Sequence, residues 1–231
     1  MIPLRDENPS ATVPVVTGAI IALNLAVFVY EIALGPALKP FMMEWGLVPE
    51  RITLALRFHE EPWLAPGLTL FSSMFLHGGW MHLIGNMWYL WIFGDNVEDR
   101  FGHARYLLFY LGAGIVAALV QYVTNPVLSL PTVGASGAIA GVLGAYAVAF
   151  PRARIITLVP LFVFIQIMRL PALLVLGLWF VIQFFSGTLA LASAMSGGIA
   201  FWAHIGGFAF GALTMLVLGG GRRGSSARIA D

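Results

Sequence analysis

Long apolar stretches separated by short polar segments dominate this chain. Because about 20 apolar residues are needed for a helix to cross a bilayer, the pattern predicts six membrane spans. They lie at approximately 13–34, 79–97, 104–124, 135–150, 170–190 and 199–219. The expected fold is therefore an all-α integral membrane protein, a bundle of six transmembrane helices. The fourth span is the shortest of them.

The connections divide the chain further. A long first loop, residues 35–78, mixes aromatic residues with charges and prolines, which predicts short amphipathic pieces in the headgroup region. The segment 151–169 is apolar but contains Pro160 and is bounded by arginines, so we expect a loop against the membrane interface rather than a seventh span. The predicted domains are a short cytoplasmic N-terminus (1–12), a membrane domain (13–219) and a disordered cytoplasmic tail (220–231).

Composition supports the membrane assignment and excludes some functions. The chain is 59% hydrophobic and 10% charged, with a mean hydropathy of +0.88, whereas soluble domains carry about 25% charged residues. A net charge of +1 indicates no nucleic-acid partner. The chain has no cysteine, which excludes disulfides, thiolate metal sites and cysteine nucleophiles. The first residues lack the pattern of a cleavable signal peptide, so none is expected.

The distribution of positive charge predicts the orientation. Nine of the twelve Lys and Arg residues fall on one side of the predicted spans, and three fall on the other, all in the first loop. Because Lys and Arg favour the cytoplasmic side, both termini are expected in the cytoplasm. The second, fourth and sixth spans then begin at the outer face.

Polar residues inside membrane spans are costly and often functional. The spans contain Asn24, Glu31, His82, Asn86, Gln121, Gln183 and His204. For Asn24, Gln121 and Gln183, an interhelical hydrogen bond is the favoured interpretation. Glu31 lies close enough to the outer end of its span to reach the interface, and we assign it no role.

Five polar residues, three of them from this set, are predicted to meet at one depth. His82 and Asn86 are four residues apart and share a helix face. His77 precedes the same helix, Ser136 begins the fourth span, and His204 lies near the outer end of the sixth. Their convergence predicts a functional polar cluster near the outer membrane face.

Nucleophilic catalysis is the chemistry that fits this cluster. A serine hydroxyl needs a neighbouring base to accept its proton, and His204 is the candidate base for Ser136. Gly207 and Gly211 lie on the same face of the sixth span as His204. The fourth span has a matching stripe of small residues, Gly137, Ala140, Gly141 and Gly144. Such faces let two helices approach closely.

An oxyanion intermediate also requires donors. The backbone N–H of Ser136 lies at a helix N-terminus, and His82 and Asn86 offer side-chain donors. Gly134 and Gly137 would leave room for a substrate backbone. No carboxylate is placed to complete a triad, because Asp95, Glu98 and Asp99 lie nine or more residues beyond Asn86. The hypothesis is therefore a Ser–His dyad.

Three motifs follow one another along the chain, "HGGWMHLIGN", "GASG" and "AHIGGFAFG". In these residues and this order they resemble the rhomboid family of intramembrane serine proteases. The resemblance implies that Ser136 is the nucleophile, that His204 is the general base, and that His82, Asn86 and the Ser136 N–H form the oxyanion hole. His77 would be a supporting residue. It implies transmembrane protein substrates cut near the outer membrane face, no cofactor, and, by analogy, a bacterial inner-membrane form.

The chain departs from the family pattern at one position near the site. Many relatives have an aromatic residue four positions after the serine, stacked on the histidine, and this chain has Ala140. Trp202 or another aromatic residue is expected to compensate. The resemblance also implies a lateral gate, here at residues 173–185, and a cap around residues 193–201.

Two other hypotheses remain open from the residues. The first is a non-catalytic protein of the same fold that binds transmembrane helices without cutting them. The second is a transporter or a metal site that uses the histidines as ligands. The chain has no His-Glu-x-x-His motif and no cysteine, so no metal is expected.

Overall fold

The computed structural model describes residues 1–59, 62–161, 164–192 and 200–219, and it is mostly helical. The helices are α1 (Val15–Ala33), α2 (Leu38–Trp45), α3 (Pro49–Thr53), α4 (Leu64–Ser72), α5 (Trp80–Phe101), α6 (His103–Thr124), α7 (Ser136–Ala149), α8 (Ala172–Ala192) and α9 (Phe201–Leu218). The strands are β1 (Ile2–Asp6), β2 (Arg154–Leu161) and β3 (Phe164–Pro171). The predicted tail, 220–231, and most of the predicted cap, 193–199, lie outside the described residues.

Four of the described helices are long and apolar enough to cross a membrane: α1, α6, α8 and α9. They agree closely with four of the predicted spans. The other two predicted spans correspond to α5, whose C-terminal end carries several charged residues, and to α7, which has only 14 residues. At 1.5 Å per residue, 14 residues cover roughly 21 Å, less than the apolar thickness of a bilayer.

Helix α7 occupies the centre of the bundle. It packs against α5, α6, α8 and α9, and every residue from Gly137 to Ala147 is buried. A helix that is apolar on all sides fits such a position because it has no face for solvent. The short helix that begins with Ser136 is therefore surrounded by the longer ones.

The segment after α7 is not the loop that the sequence predicts. Strands β2 and β3 form an antiparallel hairpin, and β1 joins it to give a three-stranded sheet in the order β1-β2-β3. The N-terminal segment is tied to the bundle as well. Tyr146 donates a hydrogen bond to the Asp6 carboxylate at 2.6 Å, and Trp88 Nε1 donates to the Pro3 carbonyl at 2.7 Å.

Acidic residues at the C-terminal end of α5 hold the start of α1. The Glu98 carboxylate accepts hydrogen bonds from the backbone N–H of Val16 at 2.9 Å and of Thr17 at 2.8 Å. The Asp99 carboxylate accepts hydrogen bonds from the backbone N–H and hydroxyl of Thr12. Carboxylates at a helix N-terminus satisfy free donors and complement the helix dipole. These residues lie at the far end of α5 from His82, as predicted.

Candidate active site

The loop that leads into Ser136 is fixed by backbone pairing. Thr132 and Leu47, from the first loop, exchange N–H to carbonyl hydrogen bonds of 2.7 and 3.0 Å. Gly134 then donates its N–H to the Ser73 carbonyl at 2.9 Å, with a φ of +126° that a side chain would disfavour. The long first loop thus positions the start of α7.

Ser136 is the first residue of α7, and no side chain caps this helix N-terminus. The first N–H groups of a helix have no acceptor within the helix and carry its partial positive charge. The position therefore presents a hydroxyl beside backbone donors suited to a developing negative charge.

His204 contacts the Ser136 hydroxyl directly. Its Nε2 lies 2.8 Å from Ser136 Oγ, and the histidine is only 8% exposed. This is the hydrogen-bond distance that proton transfer from the hydroxyl to the ring requires.

Glycines bring these two residues together, because they allow α7 and α9 to touch through their backbones. A Cβ on Gly207 would collide with the Gly137 carbonyl, and a Cβ on Gly211 would collide with the Gly141 carbonyl. On α7, a Cβ on Gly144 would collide with the carbonyl of Phe208. The small-residue faces read from the sequence therefore meet each other.

The far side of the His204 ring is held by α8. His204 Nδ1 lies 2.7 Å from Gln183 Oε1. The ring of Trp179 packs against the His204 ring, with centroids 5.7 Å apart and planes at 39°. The compensating aromatic residue is thus Trp179, whereas Trp202 packs edge-on against Phe184.

Position 140 of α7 carries a small residue at the α7–α9 contact. Ala140 is fully buried, and its Cβ would lie 3.4 Å from a Cβ placed on Gly207. The ring that packs against His204 comes from a different helix, α8.

His82 and Asn86 face the same loop from α5. A Cβ on Gly134 would lie 2.6 Å from His82 Nε2 and 3.6 Å from Asn86 Nδ2. Asn86 is 7% exposed, and within the described residues its Nδ2 has no hydrogen-bond partner. A buried donor without a partner is costly, and here it lies beside the residues that precede Ser136.

Residues 65–221, more than half of the chain, match the rhomboid domain family. The chain belongs to the rhomboid family. It is 45% identical over 76 residues to the rhomboid protease GluP of Bacillus subtilis (strain 168), covering 33% of this chain and 14% of that protein. It is 35% identical over 95 residues to the human mitochondrial presenilin-associated rhomboid-like protein, covering 40% and 25%.

A plant protein is also similar to this rhomboid-family chain. RHOMBOID-like protein 5 of Arabidopsis thaliana is 35% identical over 112 residues, covering 48% of this chain and 33% of the relative. The chain therefore spans a third or less of the length of these three relatives. Since bacterial, animal and plant proteins all match, the comparisons establish the family and not a bacterial branch of it.

In this rhomboid-family chain, the prediction that Glu31 reaches the interface is wrong. Glu31 is 1% exposed, and its carboxylate accepts the backbone N–H of His77 at 3.2 and 3.3 Å. His77 is itself buried, and its ring packs edge-on against His82, with centroids 5.3 Å apart. Burial, and to a lesser degree the nearby His82, lowers the pKa of His77 to about 4. Glu31 thus holds the backbone of the first loop at His77.

The remaining polar residues of the spans have separate surroundings. Asn24 donates to the carbonyl of Ile20 on its own helix at 2.8 Å, so the interhelical bond predicted for it is wrong. Gln121 lines a cavity of about 30 Å³ beside Ser136, together with small residues of α6. Gln183 does form an interhelical bond, to His204.

Within the described residues, no group of three or more His, Asp or Glu is placed to hold a metal ion.

Sequence reasoning missed Trp179. Its signal was available, because Trp179 and Gln183 are four residues apart and so share one face of α8. An aromatic ring and an amide on one face of an apolar helix could have predicted a packing partner and a hydrogen-bond partner for the His204 ring.

Proposed function

We propose that this chain is an intramembrane serine endopeptidase. Its substrates would be transmembrane segments of membrane proteins, cut near the outer membrane face. The observation that carries the proposal is the 2.8 Å contact between His204 Nε2 and Ser136 Oγ at an uncapped helix N-terminus. Membership of the rhomboid family supports it.

In the proposed mechanism, His204 Nε2 accepts the Ser136 proton as Oγ attacks a peptide carbonyl carbon. The C=O bond becomes a C–O⁻ bond, and the oxyanion accepts hydrogen bonds from Asn86 Nδ2, His82 and the Ser136 N–H. His204 then donates its proton to the leaving amine, which breaks the C–N bond. Water, deprotonated by His204, hydrolyses the acyl-enzyme and restores the serine.

We also propose six membrane-spanning helices, with α5 and α7 added to the four that meet the length and composition criteria. The excess of Lys and Arg on one side supports cytoplasmic termini. In this orientation Ser136 is at the outer end of α7. Because α7 is short, Ser136 would lie below the outer membrane surface. The proposed location is a bacterial inner membrane, and the proposed membrane domain is residues 13–219.

Two measurements with one control variant test this function. Purified protein in lipid is treated with a fluorophosphonate probe and, separately, with a panel of single-span test substrates. Product masses are recorded for the native chain and for Ser136→Ala. We expect labelling and cleavage by the native chain and neither by Ser136→Ala.

Equal labelling of both proteins, or no cleavage of any substrate by the native chain, would contradict the proposal. A substrate that co-purifies with the native chain and stays intact would instead indicate the non-catalytic alternative. Stoichiometric zinc with chelator-sensitive activity would indicate a metal enzyme.

A further inference from the structure

Helix α8 contacts the His204 ring at two places. Gln183 Oε1 lies 2.7 Å from Nδ1, and the Trp179 ring packs against the face of the imidazole. The two residues are one helical turn apart, so one face of α8 provides both contacts. On the other side of the ring, Nε2 is occupied by the Ser136 hydroxyl. Each ring nitrogen of His204 therefore has one polar partner.

The partner of Nδ1 determines which tautomer the ring adopts. A side-chain carbonyl oxygen can only accept a hydrogen bond, so Nδ1 must carry the proton in this arrangement. In the neutral ring Nε2 then has a free lone pair, directed at the Ser136 hydroxyl. The opposite tautomer would place a proton on Nε2 and could not accept one from serine. Gln183 thus favours the state in which His204 can act as a base.

An amide suits this position better than a carboxylate in one respect. Gln183 is on a helix that is apolar enough to span the membrane, and a buried carboxylate carries a desolvation cost that a neutral amide largely avoids. The amide still provides an acceptor oxygen. The absence of a carboxylate beside His204 therefore does not leave Nδ1 without a partner.

We propose that Gln183 is a positioning residue that fixes the tautomer and orientation of His204. This proposal rests on the proposed function, in which His204 is the base. Gln183 is on α8, whereas the dyad is on α7 and α9. The ability of His204 Nε2 to accept the Ser136 proton therefore depends on the position of α8. A displacement of α8 away from α9 would remove the partner of Nδ1 while the Ser–His pair stays on its own helices.

Matched variants of Gln183 test the proposal. Gln183→Leu keeps much of the side-chain volume and removes the acceptor, whereas Gln183→Glu keeps an acceptor oxygen. Thr188→Ala is the control on α8, because Thr188 is exposed and its hydroxyl donates to the Phe184 carbonyl of the same helix at 2.9 Å, its one bond within the described residues. Cleavage of one test substrate is measured for kcat and KM from pH 5 to 9.

We expect Gln183→Leu to lower kcat by about 10- to 100-fold with little change in KM, because the ring loses its orientation and not its substrate contacts. Gln183→Glu should recover most of this loss, with a shifted pH–rate profile because a carboxylate interacts with the charged imidazole. Thr188→Ala should match the native chain. A Gln183→Leu variant with native kcat and a native pH profile would overturn the proposal.

A second measurement separates this proposal from the proposed function. The ¹⁵N chemical shifts of the His204 ring are recorded in the Ser136→Ala background, with and without Gln183→Leu. They distinguish a protonated ring nitrogen from an unprotonated one. We expect Nδ1–H with Gln183 and a mixture of tautomers without it. If the tautomer does not change, the positioning role is wrong, even where kcat falls. If the native chain cuts nothing, the proposed function fails while the shifts still decide the role of Gln183.

Discussion

Two helix contacts, α7 with α9 and α8 with α9, hold the candidate active site, and they do so by different means. The contact of α7 with α9 is made by glycines against backbone carbonyls. The contact of α8 with α9 is made largely by big side chains, such as Phe180 against Phe208, with ring centroids 4.7 Å apart. Large apolar residues cover much of the remaining surface of α8 and are exposed. One interface is therefore set by the backbone and the other by rotatable groups.

The difference separates two requirements of the site. The distance between Ser136 and His204 follows from the α7–α9 backbone contact, which cannot change without a clash or a gap. The orientation of the His204 ring follows from Trp179 and Gln183, whose side chains have several rotamers. We infer that the distance between Ser136 and His204 is fixed rigidly, whereas the orientation of the His204 ring can adjust.

The largest effect is expected from filling the α7–α9 contact. Gly211→Ala places a Cβ into the Gly141 carbonyl, which should destabilise the fold by about 2 kcal/mol or more and abolish cleavage. Gly177→Ala is the same substitution on α8, where, among the described residues and apart from the adjoining backbone of α8 itself, no atom lies within 4 Å of the added Cβ. It should be neutral or stabilise by about 0.5 kcal/mol. Thermal unfolding and cleavage are measured for both. Equal destabilisation would mean that the backbone contact is not special.

A smaller effect is expected from removing the ring that supports His204. Trp179→Ala should lower kcat by about tenfold, because the imidazole gains freedom while its distance to Ser136 is still set by the glycines. Trp179→Phe should recover part of the activity, since it restores an aromatic face. Steady-state kinetics provide the measurement. A loss of fluorophosphonate labelling as complete as that of Ser136→Ala would show that α8 controls the distance as well.

The hydrogen bond from the His77 N–H in the first loop to Glu31 should affect stability more than chemistry. Glu31→Leu leaves the buried N–H of His77 without its acceptor, which costs about 1–3 kcal/mol. Glu31→Gln keeps an acceptor oxygen and should cost less. Unfolding by denaturant in detergent is compared for the two variants. If Glu31→Leu were as stable as the native chain, the contact between Glu31 and His77 in the first loop would contribute nothing to the free energy of unfolding.

The smallest effect concerns the N-terminal strand and depends on pH. Burial raises the pKa of Asp6 to about 6 from its ordinary value of 3.8, although Tyr146 donates a hydrogen bond to it. The docked strand therefore binds this proton more tightly than the undocked one. Docking should be strongest below about pH 4, weaken as the pH rises to about 6, and then stay constant. Hydrogen exchange of residues 2–6 measures this, and Asp6→Asn should remove the dependence.

Local patterns were sufficient to predict much of this protein. The starts and ends of the helices lie close to the predicted span limits, because apolar length decides them. The stripes of glycine predicted the α7–α9 contact, since a glycine has no side chain and so allows close backbone contact without depending on any rotamer. The pairing of Ser136 with His204 followed from these stripes and from the orientation of the spans.

Contacts between distant segments required the tertiary structure. The sheet pairs residues 2–6 with residues 155–158. The local pattern of apolar and polar residues does not predict which distant segment a strand pairs with. The position of Glu31 near the end of its span predicts that it reaches the interface, but its carboxylate accepts the N–H of His77. The choice of Trp179 over Trp202 to support His204 depends on which face of α8 meets α9. The sequence by itself predicted the pairing of Ser136 with His204, and the packing of α8 decided which residues hold the His204 ring, because ring orientation depends on neighbours that are remote in the chain.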